Sequence, residues 1–163
     1  MTVLPHPQHR SAAEQRRLEA ALTELFERLI TFNQTLGLQV LHLGPSEAKL
    51  RFDMRPELVG HYQHGRLHGG VISATLDAMA GLAMMVALGE KHPEESSDQI
   101  MHRFGRLGTI DLRVDYLRPG IGSYFIASAE VLRLGGRVGT ARMRLVNDGD
   151  ALIATGAAAY ILS

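Results

Sequence analysis

Cysteine is absent from this chain of 163 residues. That removes disulfides, thiol nucleophiles and cysteine zinc sites from consideration. Charge imbalance is also absent: lysine plus arginine and aspartate plus glutamate number 17 each, and no dense basic stripe occurs. Phosphate binding needs a local cationic surface, so nucleic acid is not expected as the main partner. The opening MTVLPHPQHR has prolines and histidines where a secretory signal needs an apolar stretch, so a cytoplasmic location is expected. Only Val71 to Gly89 is long and apolar enough to raise the question of a membrane span. It contains Ser73, Thr75 and Asp77 with many small residues, and strand-like segments follow. It reads as the buried helix of one globular domain, large enough to bury a core, and no membrane span is expected.

The order of elements follows from period and punctuation. Residues 1–10 read as a loose tail and residues 11–163 as a single domain. Ser11 and Glu14 form the S-x-x-E pattern of a capping box. Leu18, Leu22, Leu25, Phe26, Leu29 and Phe32 then recur at helical spacing, predicting an amphipathic helix over about 12–35 that stops at Gly37. Leu38 to Leu43 suggests a strand, and Ala48, Leu50 and Phe52 alternate with charged residues in another. Residues 54–68 read as an irregular loop. A second helix, about 69–89, is apolar nearly all round and therefore central. Residues 90–107 read as a polar loop. Alternation of Ile110, Leu112, Val114 and Tyr116 starts a strand, followed by strands over 124–133, 138–146 and 152–162. Asn147-Asp148-Gly149-Asp150 supplies a tight turn between the last two. The expectation is an α+β fold in which a mostly antiparallel sheet of five or six strands wraps one long central helix.

Two features carry chemistry. His68-Gly69-Gly70 opens the central helix, where unpaired N–H groups and the positive end of the dipole suit a phosphate, a carboxylate or a developing oxyanion. Glycine lets such a group approach closely; the alternative reading is a tight strand-to-helix turn. Asp77 stands in an otherwise apolar run, where an unpaired carboxylate costs several kcal/mol. It reads as a general base or nucleophile, or else as a structural carboxylate bonded to a nearby hydroxyl or histidine. Gly69 and Asp77 are about 12 Å apart along one helix. They cannot both grip one carbonyl from the same helix, but two antiparallel copies bring one residue of each chain together. His61, His64 and His68 lie in a loop without a carboxylate or cysteine at ligand spacing, so no metal is expected.

The H-G-G turn, the aspartate eight residues after its first glycine, the small-residue helix and a strand ending in YLRP resemble the hotdog-fold acyl-CoA thioesterases of the phenylacetate-pathway type. The similarity in element order spans about residues 36–163. It implies an antiparallel sheet around a helix, dimers or tetramers with interfacial sites, no cofactor, and hydrolysis of acyl-CoA to an acid and coenzyme A. Carried over by position, Asp77 is base or nucleophile, the Gly69 amide polarises the carbonyl, and His68 and Gly70 line the same turn. Family members place an asparagine where this chain has Tyr62 or His61; His61 is the better stand-in. A hydroxyl that orients the aspartate or water aligns with Thr109, although its strand face matches Asp111 and Arg113 unless the strand begins irregularly. Arg137, after Gly135-Gly136, matches a basic position near the coenzyme phosphates, with an ordinary solvated arginine as its alternative. Met84, with Met79 and Met85, either lines an acyl tunnel or packs as plain core. Aromatics at 6% and an aliphatic helix favour aliphatic over aryl acyl groups. Two competing functions are a hotdog dehydratase or hydratase and a non-catalytic acyl-CoA-binding protein. The missing proline-containing dehydratase loop opposes the first, and retention of Asp77 opposes the second.

Overall fold

A computed structural model describes residues 9–162; all but the last two residues of the expected loose tail lie outside them. The central helix, here α3, runs Gly69–Lys91. A sheet of six strands crosses it: β1 Gln39–Leu43, β2 Ala48–Asp53, β5 Gly108–Tyr116, β6 Tyr124–Leu134, β7 Val138–Asn147 and β8 Leu152–Ile161. Its order is β1-β2-β6-β7-β8-β5, and every pairing is antiparallel. The helix-facing rows explain the close approach. β8 presents Ala154, Gly156, Ala158 and Tyr160, and β6 presents Phe125, Ala127 and Ala129, all buried. Small side chains let the sheet curve onto Leu76, Met79, Leu82 and Met84, each fully buried. Among the described residues, α3 is the one helix long and apolar enough to cross a membrane, with 61% of its apolar window buried inside the protein. Sheet rather than lipid covers its apolar surface. This is the hotdog arrangement expected above.

The N-terminal helix is not continuous. α1 covers Ala12–Glu24, a wider π turn covers Leu25–Leu29, the chain turns extended at Ile30, and α2 covers Thr31–Leu36. Helical spacing therefore holds through Phe26 and then fails: Leu29 and Phe32 are 62% and 57% exposed. Asn33 secures the break, its buried amide donating to the Phe26 carbonyl at 3.0 Å. Gly37 ends α2 with a φ of 72°, a conformation that glycine adopts without strain. Ser11 caps Glu14 N–H as expected, but the Glu14 carboxylate does not return to Ser11. It accepts from Ser97 N–H at 3.0 Å and ties α1 to the segment after α3. Arg10 is likewise held: it donates to the carbonyls of Gly89 and Glu95 at 2.6 and 2.7 Å, covering the end of α3.

Two expected loops contain regular structure. Residues 54–68 include a short hairpin, β3 Val59–His61 with β4 Arg66–Leu67. Residues 90–107 contain α4, Ser97–Arg103, started by a capping box in which Ser96 and Gln99 satisfy each other's backbone N–H. At the other end of the fold, Asn147 accepts from Gly149 and Ala151 N–H across the turn read from the sequence, and Asp150 takes a φ of 57°.

Candidate active site

The side of α3 that carries Asp77 is made of small residues. Ala74, Asp77, Ala78 and Gly81 recur at i, i+3, i+4 and i+7, so they share one face. They leave a cavity of about 260 Å³ between α3, the broken N-terminal helix and the start of β5. Phe26, Ile30, Phe104 and Leu107 close its apolar part; Phe32 stands at its exposed rim. Asp77 is half-buried in the wall, not enclosed as its surroundings in the sequence suggested.

Two donors meet on one oxygen of that carboxylate. The Thr109 hydroxyl donates to Asp77 Oδ1 at 2.8 Å. The Tyr160 hydroxyl reaches the same Oδ1 and also the Asp77 carbonyl oxygen at 2.6 Å. Oδ2 has no partner among the described residues and remains available. Thr109 and Tyr160 are opposite each other in the β5–β8 ladder, whose register shifts between Thr109 and Asp111. The bulge resolves the parity problem. It turns Ile110 outward, 57% exposed, and places Thr109 toward the helix instead of beside Asp111 and Arg113. Burial, helped by the bond to Asp77, pushes the Tyr160 hydroxyl well above the usual tyrosine range, so it remains a protonated donor.

The H-G-G turn lies at the opposite end of the region. His68 Nδ1 accepts from Gly70 N–H at 2.8 Å and caps the helix. The donors expected to be free are therefore reduced: Gly70 N–H is taken, and Gly69 N–H has no acceptor among the described residues. Tyr116, from the YLRP strand, donates to the Gly69 carbonyl at 3.1 Å and braces the turn.

The other candidates are separate in one chain. His61 sits on the exposed hairpin with its ring stacked 4.8 Å from His64. Arg137 is exposed on the β6–β7 turn, where its carbonyl accepts from Leu162 N–H. Met84 is fully buried, and a Cβ on Gly139 would come within 2.7 Å of its sulfur. Met79, Met84 and Met85 are core and do not line the cavity. His61, His64 and His68 do not converge. Among the described residues the one gathering of potential metal ligands is His92, Glu94 and Glu95, and there Glu95 is engaged by Arg103. Tyr160 and the Phe26–Asn33 wall were not singled out from the sequence. Tyr160 had a usable signal, as the one large, polar-tipped residue in the inward row of Ala154, Gly156 and Ala158.

The sequence profile of the Thioesterase superfamily matches residues 64–154, which include the H-G-G turn, Asp77 and Thr109. The medium/long-chain acyl-CoA thioesterase YigI of Salmonella typhimurium is 41% identical over 139 residues, 85% of this chain and 90% of that protein. YigI of Escherichia coli K12 is 40% identical over the same length. A crystal structure from Shewanella oneidensis, described as related to the thioesterase superfamily, superposes with a TM-score of 0.87 at 33% identity. It covers 94% of this chain and 99% of that one. Sequence and fold agree: the chain belongs to the thioesterase superfamily.

Proposed function

We propose that the protein hydrolyses medium- to long-chain acyl-CoA thioesters to a carboxylic acid and free coenzyme A, at a site shared by two antiparallel subunits. The observation that carries this reading is the asymmetric Asp77 carboxylate, one oxygen held by two hydroxyls and the other free beside an apolar cavity. Its Oδ2 either takes a proton from the attacking water or attacks the thioester carbon itself. In both forms the carbonyl oxygen gains negative charge, and the unpaired Gly69 N–H of the second subunit receives it. Collapse expels the coenzyme thiolate, which takes up a proton: with water as the attacking group this gives the acid directly, and with Asp77 as nucleophile it leaves a mixed anhydride that one water then hydrolyses to the acid and free Asp77. The spacing of H-G-G to Asp77 supports placement with the phenylacetate-pathway type. The names of the 40–41% identical relatives support the acyl-CoA substrate. His61, Gly70 and Arg137 are assigned to substrate binding around the partner's cavity, with Arg137 toward the coenzyme phosphates, and His68 to the catalytic turn with Gly69.

The test is a panel of acyl-CoAs of graded length, with phenylacetyl-CoA, followed by thiol release. Hydrolysis of aliphatic members, unaffected by EDTA, is the expected result. A rate that vanishes with chelator and returns with zinc contradicts the proposed role of Asp77.

A further inference from the structure

We propose that the broken N-terminal helix is the acyl-chain selector of this enzyme. The acyl chain lies between the small face of α3 and the segment Phe26–Asn33, and side-chain size at Ala78, Gly81 and Phe32 sets its length. The inference rests on the hydrolase reading, which supplies the thioester, but goes beyond it in assigning specificity to particular residues.

Three observations converge. Beyond Asp77 the cavity wall is apolar: Ala74, Ala78 and Gly81 form one side, Phe26, Ile30 and Phe104 the other. The polar groups in this wall are already partnered. The Asn33 amide is spent on the Phe26 carbonyl, and the Tyr160 and Thr109 hydroxyls on Asp77. Such a lining accepts methylenes and offers little to a polar substrate group. Second, the wall is preorganised. Helical spacing turns Phe26 toward the cavity, the break at extended Ile30 brings Ile30 to the same lining, and buried Asn33 fixes that geometry. An uninterrupted helix would continue past this point without bending over the cavity. Third, Phe26–Asn33 lies outside residues 64–154, the part matched by the superfamily profile. The reacting groups thus sit in the matched region, while Phe26 and Ile30 of the wall facing them come from a segment outside it. At about 260 Å³ the cavity is at the small end for ligand sites, so modest side-chain changes take a large share of it.

The experiment compares hexanoyl-, decanoyl- and hexadecanoyl-CoA across Ala78→Leu, Gly81→Ala and Phe32→Ala. Ala78→Leu fills the cavity and should lower kcat/KM for decanoyl relative to hexanoyl by about tenfold or more, the scale of discrimination by methylene-sized changes in a pocket. Gly81→Ala should act in the same direction but more weakly; its Cβ would meet Tyr160 and Phe26 at 3.7 and 3.9 Å, ordinary contact distances that leave the fold intact. Phe32→Ala, at the exposed rim, should relax the profile toward the longest chain. Non-hydrolysable thioether analogues of the same acyl-CoAs, assayed by binding, should show the same order. That arm separates the two readings, because it reports the selector even if no thioester is cleaved. Folded variants whose length profile matches wild type in both turnover and analogue binding would overturn the assignment.

Discussion

Asp77 carries two hydroxyl donors on one oxygen and none on the other, an asymmetry with kinetic consequences. If the free oxygen does the chemistry, Asp77→Asn should lower kcat by about a hundredfold or more in a folded protein. Near-native turnover would make Asp77 structural. Tyr160 acts through Asp77, so Tyr160→Phe should reduce kcat by about tenfold while leaving KM nearly unchanged, since orientation rather than affinity is lost. Its ionisation gives a second readout. The hydroxyl is pushed up on folding, so above about pH 10 the unfolded chain releases a proton that the folded one keeps. The stabilisation is therefore fully present below that pH and is lost as pH rises beyond it. Denaturant titrations from pH 9 upward should show a steeper alkaline decline for wild type than for Tyr160→Phe. Equal slopes would mean that the buried hydroxyl is not linked to stability.

Elements differ in how legible they were. The central helix, the Ala48–Asp53 strand and the Asn147–Asp150 turn follow from period and turn chemistry that tertiary packing does not oppose. Asp77 was visible for the reverse reason, as a charge where the pattern asks for core. The break at Ile30 was not visible, because the Leu and Phe spacing continues through it while the stabilising contact, Asn33 to the Phe26 carbonyl, depends on three-dimensional proximity. Bulges are only conditionally legible: strict alternation puts Ile110 inward and Thr109 outward, and the reading of Thr109 beside Asp77 required an irregular strand start, which the extra residue supplies. α4 was missed because its start, Ser96 to Gln99, is a short polar signal inside a polar stretch. The break yields a prediction at this scale. Asn33→Ala leaves the buried Phe26 carbonyl without its donor and should cost about 1–3 kcal/mol. A lower denaturant midpoint at unchanged m-value, together with weaker discrimination among acyl lengths, is the expected outcome. Retained stability would show that the break holds itself. The turn before α3 is equally constrained: a Cβ on Gly60 would lie 2.6 Å from His68 Cα, a backbone atom that cannot yield cheaply. Gly60→Ala should displace the His68-Gly69 turn and depress turnover, measured against a far-UV spectrum that stays native.

At the scale of the whole molecule, the two groups of the proposed site lie in different places on the chain. Asp77 faces its cavity, whereas the free Gly69 N–H lies about two turns away along the same helix. Among the described residues β5 ends the sheet with an outer edge that no strand pairs, an edge suited to the second copy of the proposed dimer. Mixing two inactive proteins tests the shared site directly. Gly69→Pro removes the proposed oxyanion donor at the first helical position, where proline is tolerated and where His68 already has the extended conformation proline requires. Asp77→Asn removes the carboxylate. Each homodimer should be inactive, while a mixed dimer unites the intact Gly69 of one chain with the intact Asp77 of the other. Free subunit exchange makes about half the dimers mixed with one good site each, so acyl-CoA hydrolysis should return to roughly a quarter of wild type. Confirmed exchange without recovered activity would contradict the shared site.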